Sequence, residues 1–125
     1  EGIPDWAVNN SNFPFPIDLP YNKSGKPSKE KCLSKAWWKY QFSHETSKIY
    51  QDLYTNEYLI ESFLNYWNIV VETFKNSDNV IGYEIINEPW AGNIYEDPIL
   101  LLPEYADKKI LQPFYDKVYN KLNII

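Results

Sequence analysis

The most restrictive feature of this chain is a run of seven mostly apolar residues at 80–86, "VIGYEII", that leads directly into Asn87-Glu88-Pro89-Trp90. The run shows little alternation between apolar and polar positions. A strand of that kind is covered on both faces, as in a parallel sheet. Parallel neighbours cannot be joined by a tight hairpin and need long crossovers, usually helical. The order read along the chain is helix, strand, long loop, helix, which signals α/β architecture. Two helices and one convincing strand do not close a sheet. The expectation is therefore that residues 1–125 hold part of a larger domain, with most of the sheet lying outside them. An isolated piece of that kind would keep an open strand edge and bare apolar faces, and should not fold stably alone.

Around the strand the elements read as follows. Residues 1–35 contain prolines at 4, 14, 16, 20 and 27, which deny the segment a regular helix. Irregular segments that long are usually functional or disordered. Trp6, Phe13, Phe15 and Tyr21 argue that this one is ordered against something. Between 36 and 54 the pattern is weakly helical, with Trp37, Tyr40, Phe42 and Ile49 as a stripe extended by Tyr50, Leu53 and Tyr54. Asn56 is placed to cap a helix beginning at Glu57. In that helix Ile60, Phe63, Leu64, Trp67, Val70, Val71 and Phe74 recur at steps of three and four, opposite Glu57, Glu61, Asn65, Asn68 and Glu72. Pro113 suits the first residue of a last helix, whose apolar side is Phe114, Val118 and Leu122 with Tyr115 and Tyr119.

Composition excludes several functions. The net charge is −5, no Lys/Arg cluster stands out, and the run "KSGKPSKEK" carries an acid and two serines, so a nucleic-acid partner is not expected. No apolar run approaches the roughly 20 residues of a membrane span. The opening "EGIPDWAVNN" has neither a basic region followed by an apolar one nor a Met, so position 1 reads as the middle of a longer sequence, and the ending "KLNII" stops on apolar residues without a cap. Cys32, the single cysteine, is either a buried thiol or half of a bridge whose partner lies elsewhere. Sequons at Asn9 and Asn22 would be glycosylated in a secreted protein. Aromatics make up 18% of the chain, which suits a sugar-stacking cleft but equally suits a core.

Chemistry concentrates at the end of the strand. In (β/α)8 barrels the active site lies at the carboxyl ends of the strands. Glu88 falls where such a strand becomes a loop. Glycoside hydrolysis needs a proton donor on the glycosidic oxygen, and a carboxyl group serves when its surroundings hold its pKa up. Asn87 offers an amide to a sugar hydroxyl beside the reacting carbon. Pro89 stiffens the turn, and Trp90 offers a wall or stacking surface. The competing reading is a solvated Glu88 and a core Trp90. The buried type of strand before the motif favours the catalytic reading.

The motif resembles the fourth strand end of clan A glycoside hydrolases, family 5 in particular. More narrowly, "GYEIINEPWAGNIYEDPILLLPEYADKKILQPFYDKV" (82–118), "EGIPDWA" and "LYTNEYLIESFLNYWNIVVETF" are similar to the endoglycoceramidases, and the resemblance covers nearly the whole chain. It implies a partial (β/α)8 TIM barrel over 1–125, running from the loop after the third strand through the helix after the fourth. It further implies a retaining enzyme that cleaves the β-glycosidic bond between an oligosaccharide and ceramide. Glu88 would be the acid/base and Asn87 a ligand of the sugar 2-hydroxyl. The nucleophilic Glu at the seventh strand end and the His-containing segment at the third would lie outside this chain, leaving the fragment inactive. The substrate would be a glycosphingolipid at a membrane or micelle surface, in an extracellular or lysosome-like compartment, with no cofactor. Related readings are a family 5 glucosylceramidase or β-glucanase, or a non-catalytic glycolipid-binding protein if the chain ends here.

Other residues were weighed against the same site. On an ideal strand Glu84 would stand roughly 13 Å from Glu88, too far for a retaining pair, and a buried structural role is expected. Asp5 and Trp6 lie in the loop after the third strand, where sugar contact competes with a turn role. Trp37 and Trp38 are candidates for stacking on a sugar, against simple packing. Glu96 and Asp97 read as solvated loop charges. His44, the only histidine, is too little for a metal site and suits helix packing or the surface.

Overall fold

The computed structural model describes residues 3–4, 6–7, 29–33 and 36–122. Asp5, Asn9 and Asn22 lie outside the described residues, as do the side chains of Cys32 and Trp37. Four α-helices carry the described chain: α1 (Lys29–Cys32), α2 (His44–Thr55), α3 (Glu57–Phe74) and α4 (Gln112–Leu122). Single 3-10 turns stand at Trp37–Tyr40 and Pro98–Leu101.

The weakly helical stretch is two pieces rather than one. Ser43 breaks it, accepting from the Thr46 amide at 3.3 Å through Oγ and so capping α2. Ile49, Tyr50 and Tyr54 of the expected stripe are buried, whereas Phe42, ahead of the cap, is exposed.

The helix at 57–74 forms as its periodicity predicts. Asn56 Oδ1 accepts from the amides of Tyr58 at 3.0 Å and Leu59 at 3.4 Å. Those two bonds satisfy donors that have no partner inside the helix. Ile60 and Leu64 are buried, Phe63 and Trp67 partly so, and all five predicted polar-face residues are exposed.

The final helix begins differently from its prediction. A π turn at Asp107–Leu111 precedes α4, so Pro113 sits one turn inside a longer helical run. The Gln112 amide bonds to the Asp107 carbonyl, five residues back. The wider turn absorbs the missing proline N–H and the ring that would crowd an α-helical carbonyl.

Helices α2, α3 and α4 meet in one core of Tyr50, Tyr54, Ile60, Leu64, Phe114, Val118 and Leu122. Aromatic edges fill it: Tyr54 and Phe63 approach Phe114 with ring centroids at 5.2 and 5.7 Å.

The predicted strand at 80–86 is an irregular segment instead, and the described residues contain helices, turns and irregular stretches but no strand. Ile85 and Ile86 pack on the helical core, and Tyr83 meets Trp67 at 6.2 Å. Ile81, in contrast, is fully exposed. The reason is physical. A parallel strand is defined by ladder bonds to its neighbours, and no second strand stands among the described residues to supply them. The apolar run thus keeps one of its two expected coverings, the helical layer.

Candidate active site

Asn87 and Glu88 form a bend that leaves the helical core, and both are exposed. Glu88 has φ 46°, in the left-handed region. An ordinary side chain is strained there by about 1–3 kcal/mol. Pro89 adds to this, since a residue before proline is driven toward extended backbone.

Immediately after the bend the chain is held down by one face of α2. Trp90 Nε1 donates to Ser47 Oγ at 3.2 Å. The Tyr54 hydroxyl donates to the Trp90 carbonyl at 2.8 Å. The Asn93 amide donates to Gln51 Oε1 at 3.2 Å. Ser47, Gln51 and Tyr54 are spaced i, i+4 and i+7, so they share one side of the helix. Between them and the loop, Gly92 turns at φ 102°. A Cβ there would lie 2.6 Å from Gln51 Oε1. Burial first, then the nearby Tyr50 and Tyr115, push the Tyr54 phenol well above its ordinary range, so it stays a neutral donor to the Trp90 carbonyl.

An aromatic series runs from this loop toward the start of α2. Phe42 meets Trp90 edge to face at 5.1 Å, and Trp38 meets Phe42 at 6.4 Å. His44, exposed at the first residue of α2, stacks on Tyr95 at 4.7 Å. The Tyr95 hydroxyl donates to the Phe42 carbonyl. The His44 placement agrees with the surface role expected for it.

Of the residues singled out in the sequence, the structure gathers Trp38 and Trp90 into one aromatic series two residues from Glu88. Trp6 stands instead against Tyr58 at the start of α3, at 6.3 Å. Two expectations about carboxylates change. Glu84 is exposed rather than buried, and its charge helps burial raise the Tyr115 phenol. Asp97 is not simply solvated, because it pairs with Lys109 at 2.6 Å. That hydrogen bond raises the Lys109 pKa. Glu96 is exposed, as expected.

Ser47, Gln51 and Tyr54 were missed as site-shaping residues. Their signal was available as a polar stripe at helical spacing next to an apolar face. Asn93 was also passed over. Its side chain is almost fully buried, and neither its nitrogen nor its oxygen meets a partner among protein atoms. Among the described residues, no group of three His, Cys, Asp or Glu residues could hold a metal ion. None of the described helices is long and apolar enough to cross a membrane.

The chain is similar to two curated proteins. It is 39% identical over 132 aligned positions to an endoglycoceramidase of Cyanea nozakii, covering all of this chain and 26% of that protein. It is 41% identical over 123 positions to an endoglycoceramidase of Hydra vulgaris, covering 93% of this chain and 24% of that protein. The chain thus spans about a quarter of the length of the curated relatives it matches. No family model matches the chain, and no solved structure does.

Proposed function

From a likeness to endoglycoceramidases that covers all of this chain in one relative and 93% of it in the other, we propose that the chain is part of a retaining glycosidase acting on glycosphingolipids. The observation that carries the reading is the likeness itself, whose aligned stretch spans the whole chain and therefore the region of Asn87-Glu88-Pro89-Trp90.

In the proposed reaction the Glu88 carboxyl gives its proton to the glycosidic oxygen as the bond to the sugar breaks, and ceramide leaves as an alcohol. A second carboxylate, supplied by sequence outside this chain, takes the anomeric carbon as a glycosyl ester. It would stand about 5–5.5 Å from Glu88, the separation of a retaining pair. Glu88, now a carboxylate, removes a proton from water. That water attacks the anomeric carbon and releases the oligosaccharide. Asn87 would hold the sugar 2-hydroxyl and Trp90 would wall the cleft, with Trp6, Trp38, Trp37 and Asp5 as further candidates for contact with the glycolipid. The scheme calls on no cofactor.

A (β/α)8 barrel remains the proposed setting, with 80–86 as its fourth strand once neighbours supply the ladder. The proposed place of action is an extracellular or lysosome-like compartment, where the glycolipid sits in a membrane or micelle.

Glu88→Gln in the full-length protein tests the assignment. Ceramide release from a natural glycolipid should fall by roughly 100-fold or more. An aryl glycoside whose leaving group needs no proton should lose far less in the step that forms the glycosyl ester. Near-normal ceramide release by this variant would sink the acid/base role.

A further inference from the structure

Charge is distributed unevenly along this chain. Of its 12 lysines and arginines, six fall between 23 and 39, with Glu30 the only acid among them. That stretch carries +5, while the rest, with six lysines against sixteen acids, carries −10. The described lysines of the two regions differ in their surroundings. Lys75, Lys108, Lys109, Lys117 and Lys121 each stand 2.6–3.6 Å from a carboxylate. Lys29 and Lys39 are exposed and enter no ion pair among the described residues. Their charge is therefore not neutralised at close range. Charges farther off than about 8 Å are largely screened at physiological salt, so distant acids do not cancel these two ammonium groups.

Apolar side chains accompany these lysines into solvent. Leu33 is 74% exposed, Trp38 50% and Phe42 53%. The Lys39 ammonium stands 5.6 Å from the Trp38 ring centre. Leu33 is five residues from Trp38, within about 18 Å along even a fully extended chain. Exposed aliphatic and indole groups with ammonium groups beside them match the boundary between water and lipid headgroups. Indole rings settle at that level, and lysine stems lie along apolar surface while their charge reaches out.

We propose that Lys29, Leu33, Trp38, Lys39 and Phe42 form a docking surface for an anionic lipid bilayer. Lysines near such a surface each strengthen binding about fivefold. A nucleic acid offers the same charge, but nothing in it rewards the outward Leu33 side chain. The surface adjoins the reaction site, since Phe42 touches Trp90 two residues beyond Glu88. Docking there would hold the Glu88 loop against the layer in which a glycolipid stands. This purpose rests on the glycolipid reading above, whereas the binding itself does not.

The test uses the full-length protein and vesicles that contain no glycolipid, read by co-sedimentation. Vesicles of phosphatidylcholine with phosphatidylserine should bind it about tenfold or more tightly than phosphatidylcholine alone, and salt should weaken the difference. The double variant Lys29→Gln, Lys39→Gln should lose about twentyfold on the anionic vesicles, and Leu33→Ser should weaken binding at every salt concentration. The double variant should still hydrolyse a detergent-dispersed glycolipid at the parent rate. Equal binding to both vesicle types, or no effect of the double variant, would overturn the proposal. Competition by duplex DNA as strong as that of the anionic vesicles would overturn it too, by showing a general polyanion site. Vesicle binding by a protein that hydrolyses no glycolipid would leave the docking surface standing and defeat only the enzymatic reading.

Discussion

Two residues in the 88–92 segment adopt backbone that most side chains avoid, Glu88 at φ 46° and Gly92 at φ 102°. They differ in what they reveal. Gly92 needs its missing Cβ twice, for the left-handed turn and for the close approach of Gln51. Gly92→Ala should lower the stability of the full-length protein by about 1 kcal/mol or more, measured by urea denaturation. Adding Gln51→Ala should restore only part of the loss, because it removes the contact but not the backbone strain. An alanine variant as stable as the parent would contradict the turn. Glu88 has no such excuse, and its strain is the kind that collects at functional sites. The sequence showed that a carboxylate ends an apolar run, but not that its backbone is left-handed. Proline at 89 would have argued against that conformation.

Among the elements, α3 was the most legible because its two signals agree. An apolar stripe at steps of three and four follows a side chain able to cap the first turn, and both are local properties. The strand at 80–86 was read from a pattern that takes its meaning from neighbours, and the described residues hold none. The π turn before Pro113 was illegible for a related reason. Proline marks where an α-helix is disturbed, but either a start or a widened turn relieves the disturbance. Helix α2 carries the clamp on the Trp90 loop, and Tyr54 makes it testable. The Tyr54 phenol is raised by burial, so the folded state keeps a proton that the unfolded chain releases above pH about 10. Its contribution to stability is therefore complete below that pH and is lost as pH rises above it. Tyr54→Phe should cost about 1 kcal/mol near neutral pH, through the lost bond to the Trp90 carbonyl. It should also lose less stability than the parent when both are unfolded by urea above pH about 10. Equal alkaline losses in the two proteins would remove Tyr54 from the account.

At the scale of the whole molecule, the described chain joins a closed helical core to several apolar side chains left in solvent. The core of α2, α3 and α4 is closed, whereas Ile81, Ile69 and Phe74 face solvent. The barrel proposal covers Ile81 with strands from outside these 125 residues, which span about a quarter of the length of the curated relatives. The helix at 57–74 and the existence of a turn at Glu88 were readable from 125 residues because they depend on short-range pattern. The proposed sheet and second carboxylate cannot be read from these residues, because both would depend on residues outside this chain. The measurement that tests the central claim most directly is product analysis of a glycosphingolipid treated with the full-length protein. Mass spectrometry should find free ceramide and an intact oligosaccharide, since the proposed cut falls between them. Sugars released singly from the outer end, or lipid recovered unchanged, would contradict the account.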